Sequence, residues 1–261
     1  MSVEYTVFYS WQSDTPSSAN RSFIRDALDA AVAKVGTVQD AARVDSGMEG
    51  VAGSPEVATV MFEKIRESGI MVADLTLVGV IQRQDGESRR APNPNVLLEL
   101  GYAAAVLGWG RVLGVMNEHF GPAREQPFDV RNRRFPIQYK LDPANAGDRK
   151  TQLSQLTKNL AGAIEAVADT DYRAAGVVIG RLDTSSRTFI AKYSGSEKIP
   201  EPAANSYLVG SGSGLDTPRL LAAIGRLLDL GVIRAVYHLP TRSYIYEWTY
   251  LGRAVATRLR A

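Results

Sequence analysis

The segment NPNVLLELGYAAAVLG, residues 93–108, carries a single charged side chain, that of Glu99. A carboxylate in such apolar surroundings is costly unless it is paired, protonated or placed beside a cavity. One explanation is structural: Glu99 pairs with an arginine such as Arg43, or the start of its own helix stabilises it. The other is catalytic, because one carboxylate in dry surroundings stabilises positive charge developing on a ribose ring as its glycosidic bond breaks. A cationic leaving group such as nicotinamide needs little general-acid help, so one glutamate would suffice without a metal.

Apolar strands alternate with amphipathic helices through the first two thirds of the chain. Strands are predicted over 5–11, 42–46, 69–76, 111–117 and 135–141, and helices over 23–35, 54–68, 95–108 and 148–168. Asn20 and Asn95 are the predicted N-caps of the first and third of these helices. The polar, basic segment QRQDGESRRAPNP, 82–94, is predicted to be a loop. This alternation indicates an α/β fold: a flavodoxin-like, doubly wound parallel sheet with helices on both faces.

Polar side chains collect where the predicted strands end. In open parallel sheets ligands bind outside the carboxyl ends of the strands. The candidate binding residues there are Tyr9, Ser10, Trp11, Gln12, Asp45 and Asp74, with Asn95 at the start of the Glu99 helix. Two of these have structural alternatives: Asp74 either holds a ribose or caps the next loop, and Trp11 either stacks on a base or packs against the protein. Arg21 is a further candidate, either a phosphate ligand or a solvated helix residue. The arginines of the predicted loop, Arg83, Arg89 and Arg90, either clamp a pyrophosphate or are simply solvated.

The chain changes in character near residue 170, which predicts domains over 1–169 and 170–261. GVVIGRLD and TFIAKYSG are predicted strands, and the stretch from Ile199 to Pro218 is a Pro/Gly/Ser-rich connector. A helix from Thr217, a hairpin over 235–249 and a basic final helix follow, and this end of the chain resembles a winged-helix module. Residues 170–261 contain 12 lysines and arginines against 7 acids, a net charge of +5. Such a balance suits a nucleic-acid partner or only a solvated basic surface.

Composition excludes several classes of site. Without cysteine there is no disulfide, thiolate metal site or thiol nucleophile, and the presence of only two histidines argues against a histidine-rich metal site. The first turn lacks G-x-G-x-x-G, which argues against a dinucleotide-dependent dehydrogenase. The beginning of the sequence has no signal-peptide pattern and no run of about 20 apolar residues occurs, so a cytoplasmic protein without membrane contact is expected.

Four segments together resemble a bacterial TIR-like domain over residues 3–168: YTVFYSWQSD, RVDSGMEGVAGSP, VADLT and NVLLELGY. The resemblance implies that Glu99 is catalytic and cleaves NAD+ to nicotinamide and ADP-ribose or a cyclic form, with NAD+ as substrate and no further cofactor. It also implies that the strand end from Tyr9 to Gln12 lines the nucleotide pocket beneath a loop carrying Asp45 to Gly50. Many such proteins are antiviral-defence effectors that cause abortive infection and are activated by assembly, so an active homo-oligomer is expected.

The same segments also resemble nucleoside 2-deoxyribosyltransferases, which share the sheet and the glutamate. In that case Glu99 would still act at a ribose C1′. A third interpretation is a catalytically idle nucleotide sensor whose C-terminal region binds DNA. In the enzymatic interpretation, residues 170–261 sense nucleic acid or an activator protein of the defence system.

Overall fold

A computed structural model describes residues 6–35, 43–45, 57–82, 84–131, 133, 136–196, 198–200, 215–238 and 242–260. The chain divides into two compact units, one ending at Val167 and one beginning at Ala168. In chain order, the elements that begin in the first unit are β1 (Thr6–Ser10), α1 (Arg21–Lys34), β2 (Arg43–Asp45), α2 (Val57–Glu67), β3 (Ile70–Asp74), β4 (Leu77–Gln82), β5 (Ser88–Pro92), α3 (Pro94–Val106), β6 (Val112–Asn117), α4 (Phe128–Arg131), β7 (Ile137–Tyr139) and α5 (Arg149–Ile179).

The first unit is an α/β structure around a five-stranded sheet in the order β2-β1-β3-β6-β7. All four neighbouring pairs run parallel. Counting only these strands along the chain, the order is 2-1-3-4-5, which is compatible with a flavodoxin-like fold. The predicted α/β class with a parallel sheet is therefore confirmed, and each of the five strands predicted in this unit contains an observed one.

Strand β1 divides its side chains between the two faces of the sheet, because successive residues of a strand point in opposite directions. Phe8 lies in the core formed with α2 and α3. Tyr9 lies on the α1 side, where its hydroxyl donates to the Arg21 carbonyl at 3.4 Å. Ser10 returns to the α3 side. The Glu99 helix and the Ser10 hydroxyl are thus brought to the same face at the carboxyl end of β1.

Part of the predicted loop 82–94 is a strand: β5 pairs with β4 in a two-stranded antiparallel hairpin. β4 pairs with β5 from Leu77 opposite Pro92 to Gln82 opposite Ser88. The prediction of a loop was wrong for Ser88–Pro92, because this strand is polar and largely exposed and therefore lacks the apolar run that marks the buried strands. The apolar stretch Leu77–Gln82, which forms β4, was not assigned to a strand from the sequence. Arg89 donates to the Gln126 carbonyl and Arg90 to the Phe120 carbonyl, so these arginines attach the ribbon to the segment after β6.

The second unit adds, after the end of α5, the elements α6 (Thr184–Tyr193), β8 (Lys198–Pro200), α7 (Thr217–Asp229), β9 (Ile233–His238), β10 (Ser243–Trp248) and α8 (Tyr250–Arg260). Its sheet is antiparallel with the order β8-β10-β9. The predicted hairpin and its two flanking helices are present. Residues 201–214 of the predicted connector and 239–241 of the predicted turn lie outside the described residues.

Two predicted strands of this region are helical. GVVIGRLD contains the end of α5, and TFIAKYSG lies mostly in α6. The β-branched residues suggested strands, but helical spacing places Ala175, Val178 and Leu182 in one buried core with Phe189 and Tyr193. Packing of these helical faces against α7 and α8 overrides the local preference for strand. In the described part of the chain, every helix is too short or too polar to span a lipid bilayer.

Candidate active site

Glu99 and Ser10 meet on the α3 side of the sheet. Glu99 is half-buried in the second turn of α3, and Ser10 is 1% exposed at the end of β1. Burial raises the pKa of Glu99, and the facing Ser10 hydroxyl lowers it by a smaller amount. Ser10 Oγ makes no hydrogen bond of conventional geometry with any described residue. The site thus combines a partly desolvated carboxyl with a buried hydroxyl that has spare hydrogen-bonding capacity.

No described cation neutralises Glu99. The pKa of this carboxyl is perturbed only by burial and by Ser10. The alternative of an ion pair with Arg43 concerns a side chain outside the described residues. Within the described part of the structure, the charge of Glu99 is therefore available to a ligand.

Asp74 lies at the end of β3 and forms the centre of a buried amide network. Its carboxylate accepts from Gln12 Nε2 at 3.2 Å, from Asn20 Nδ2 at 3.3 Å and from the Thr76 backbone N–H at 3.0 Å. Burial raises the pKa of Asp74, and these hydrogen bonds partly oppose that rise. Asp74 is fully buried and Gln12 is 2% exposed. The network brings these two predicted binding residues together, but protein donors already occupy the carboxylate.

The network continues to the end of β6 through Thr76 and Asn117. Asn20 donates to Thr76 Oγ1 at 2.7 Å, and the same oxygen accepts from the Asn117 backbone at 3.0 Å. Asn117 also donates to the Leu141 carbonyl at 2.9 Å. Asn20 is the N-cap of α1, as predicted, but its side chain makes no capping hydrogen bond. Its amide instead connects the carboxyl ends of β3 and β6, since its nitrogen donates to Asp74 and its oxygen accepts from the Asn117 side chain.

Among the described residues, no contact joins the other predicted binding residues Tyr9 and Asn95 to the Ser10–Glu99 pair, and the Asp45 side chain lies outside those residues. Tyr9 is buried on the α1 side, where burial and the Asp74 charge raise its pKa. Asn95 is exposed, and its backbone N–H donates to Asn93 Oδ1 at 2.8 Å. The predicted cap at Asn95 was wrong, since Asn93 is the N-cap of α3. The backbone of Asp45 pairs with Phe8 in the sheet, but its side chain, like the loop 46–50, lies outside the described residues.

Trp11 forms a stacked pair with Arg21 at the same end of the sheet. The guanidinium carbon of Arg21 lies 3.4 Å from the centre of the Trp11 ring. Trp11 follows Ser10 directly, and its ring is half-buried, whereas Arg21 is exposed at the first position of α1. A guanidinium stacked on indole keeps its N–H groups available in the plane of the group.

Asn93 is a functional candidate that the sequence interpretation missed. Its side-chain oxygen caps α3 by accepting from the Asn95 and Val96 backbones, while its amide donates to the Asp14 carboxylate at 2.6 Å. This contact joins the helix that carries Glu99 to the loop that follows Ser10. Pro94 was the available signal, because proline favours the first helical position and so identifies the preceding residue as the cap.

At the carboxyl end of the sheet, the arrangement provides the ionisable carboxylate of Glu99, the buried hydroxyl of Ser10 and the guanidinium of Arg21 over Trp11. Among the described residues no group of three or more acids and histidines is placed to hold a metal ion. Charge stabilisation by Glu99 is the chemistry that these side chains can supply. No model of a known protein family matches the chain, and no curated protein matches it either.

Proposed function

We propose that the first unit is an NAD+ glycohydrolase in which Glu99 is the catalytic carboxylate. The observation that carries this proposal is the pairing of a half-buried, unneutralised Glu99 with the buried Ser10 hydroxyl, at the sheet edge where such folds bind nucleotides. The ELG-type motif around Glu99 and the strand order 2-1-3-4-5 also support a TIR-like, flavodoxin-like domain.

In the proposed reaction, the bond between ribose C1′ and the nicotinamide nitrogen breaks, and its electron pair returns to the pyridinium ring. Nicotinamide leaves as a neutral molecule, and the ribose acquires oxocarbenium character. The Glu99 carboxylate opposes that charge most strongly where water is excluded. Water then adds at C1′ and loses a proton, giving ADP-ribose; attack by a nitrogen of the adenine would give a cyclic product instead.

Ser10 has a supporting role in this proposal. A hydroxyl facing the carboxyl stabilises its ionised form, which is the form that the reaction needs. Because the same hydroxyl makes no conventional hydrogen bond to the described residues, it also has capacity to bind a ribose hydroxyl. Asp74 and Gln12 would build the floor of the site without touching substrate, since their polar atoms bind each other and neighbouring protein groups.

Incubation with two substrates tests the reaction class. The purified chain is given NAD+ in one reaction, and 2′-deoxyadenosine with a free acceptor base in another. We expect nicotinamide release and no base exchange. Base exchange without nicotinamide release would instead support the alternative of a deoxyribosyltransferase-like enzyme. Absence of both activities, with and without added DNA or RNA, would support a nucleotide sensor.

For the second unit we propose a winged-helix-like fold that regulates the enzyme. The support is the antiparallel order β8-β10-β9, with α7 leading into the β9–β10 hairpin, and the net positive charge of residues 170–261. By the resemblance of the first unit to TIR-like domains, the protein would act as a defence effector that assembles when a nucleic acid or an activator protein binds. DNA and RNA affinity measured against salt concentration tests the partner, because neutralised phosphates make affinity fall steeply with salt. Failure to bind either at low salt would indicate a protein partner.

A further inference from the structure

The guanidinium of Arg21 donates no hydrogen bond to an acid or a carbonyl of the described residues, unlike the four arginines that follow. Arg25, one helical turn later, is paired with Asp29 at 3.1 Å. Arg149 is paired with Asp26 at 2.9 Å. Arg89 and Arg90 donate to backbone carbonyls. In the same set of residues, neither a carboxylate nor a carbonyl accepts from the Arg21 guanidinium.

The Trp11 ring fixes this guanidinium in place. With the guanidinium carbon 3.4 Å from the ring centre, there is room only for a guanidinium that lies flat over the ring, and its N–H groups then lie in a plane above the ring. A planar fork of N–H donors with fixed orientation matches the oxygens of a phosphate group. The stack therefore presents an oriented anion-binding group, and no described acid competes for it.

We infer that Arg21, held by Trp11, binds the diphosphate of the nucleotide whose ribose lies against Glu99. This inference rests on the proposed function. The connection is short: Trp11 follows Ser10 in the chain, and Ser10 faces Glu99. In NAD+ the diphosphate is attached at C5′ of the ribose whose C1′ reacts, so a phosphate group must lie within one sugar ring of the catalytic carboxylate. Arg21 is thus a specificity-determining residue that selects nucleoside diphosphate esters over free nucleosides.

Equilibrium binding tests this inference without requiring turnover. ADP-ribose and adenosine are titrated calorimetrically into the full-length chain and its variants. We expect wild type to bind ADP-ribose at least about tenfold more tightly than adenosine. Arg21→Ala should weaken ADP-ribose binding by about tenfold to a hundredfold without changing adenosine binding, since a charge-assisted bidentate contact is lost. Arg21→Lys should restore part of the loss, because it keeps the charge but not the fork.

Arg25→Ala is the matched control, since it removes a positive charge one turn along the same helix from a side chain already paired with Asp29. It should bind ADP-ribose like wild type. The inference is overturned if Arg21→Ala leaves ADP-ribose binding unchanged, if it weakens both ligands equally, or if Arg25→Ala has the same effect. Arg21 is exposed, and thermal unfolding of each variant checks that the fold is retained.

Turnover of two substrates separates this inference from the proposed function. Nicotinamide riboside has the same scissile bond as NAD+ but no phosphate. Arg21→Ala should lower kcat/KM for NAD+ and leave that for nicotinamide riboside unchanged. An equal fall for both substrates would reject the phosphate site while the glycohydrolase stands. ADP-ribose binding that depends on Arg21, with no nicotinamide release from either substrate, would reject the glycohydrolase while the phosphate site stands.

Discussion

The Asn93 amide donates a hydrogen bond to the Asp14 carboxylate at 2.6 Å, and this contact joins the start of α3 to the loop between β1 and α1. Glu99 lies on α3, and Ser10 immediately precedes that loop. The same Asn93 side chain caps α3 through its oxygen. One residue therefore stabilises the helix with one end of its amide and positions the helix with the other.

Separate substitutions of Asp14 and Asn93 should distinguish these two roles. Asp14→Ala removes the link but leaves the cap, so we expect kcat to fall by up to about a hundredfold, the scale expected for a small misplacement of a reacting group. The free energy of unfolding should hardly change. Asn93→Ala removes both contacts and should also lower the free energy of unfolding by about 1 kcal/mol. Urea unfolding and steady-state kinetics measure the two effects. Equal kcat for Asp14→Ala and wild type would show that the link has no positioning role.

Ser10→Ala should move the acidic limb of the pH–activity profile to higher pH. The reaction needs ionised Glu99, so activity is lost as pH falls through its pKa, which burial raises above that of an ordinary glutamate. Ser10 lowers that pKa in part, and removing the hydroxyl removes this effect. The profile of kcat/KM reports the free enzyme and is the quantity to measure. Ser13→Ala, an exposed serine in the same loop, should leave the limb in place. If the acidic limb lies at the same pH in Ser10→Ala and wild type, the Ser10 hydroxyl does not lower the pKa of Glu99.

Asp74→Asn should destabilise the fold by about 1–3 kcal/mol, because the new amide must direct N–H groups towards donors of Gln12 or Asn20. It should also change how stability depends on pH. The pKa of Asp74 is raised in the folded state, so the folded state binds the proton more tightly than the unfolded state. Stability therefore falls as pH rises from the ordinary aspartate pKa through the raised value.

Urea unfolding of wild type and Asp74→Asn across the acidic range measures that dependence. The fall with rising pH should be smaller in the variant, which has no carboxyl to titrate. Asp29→Asn is the control, since Asp29 is an exposed partner of Arg25 on α1. It should change stability only slightly. An identical dependence of stability on pH in wild type and Asp74→Asn would contradict a raised pKa for Asp74 in the folded state.

The parallel sheet was predictable because its central strands are continuous apolar runs. Ile70–Asp74 is buried at every position, and such runs are typical of strands covered on both faces. β5 was not predictable in this way, because SRRAP is short, polar and largely exposed. Its partner β4 is apolar in sequence, but half of it is exposed in the fold. The end of α5 was misinterpreted because Val177, Val178 and Ile179 favour strands locally, whereas their helical conformation depends on packing against distant residues.

The candidate site was predictable in part. Glu99 could be singled out because a lone charge in an apolar helix requires an explanation. The tendency of strand ends to gather polar groups identified Ser10 and Asp74, but sequence position alone does not say which face of the sheet each one takes. The alternation along β1 places Ser10 beside Glu99 and Tyr9 on the opposite face. The stack of Arg21 on Trp11 spans a ten-residue separation without a regular repeat, so only the folded chain reveals it.

The central claim is that the charge of Glu99 drives cleavage of the nicotinamide–ribose bond. Nicotinamide release from NAD+, measured for wild type beside Glu99→Gln, tests it most directly. Glutamine keeps the size of the side chain and removes the charge, so we predict a loss of about a thousandfold or more in kcat. Stability should be equal or higher, because a partly buried charge is no longer desolvated. Glu63→Gln, an exposed glutamate on α2, should behave as wild type. Nicotinamide release by Glu99→Gln at the wild-type rate would contradict the account.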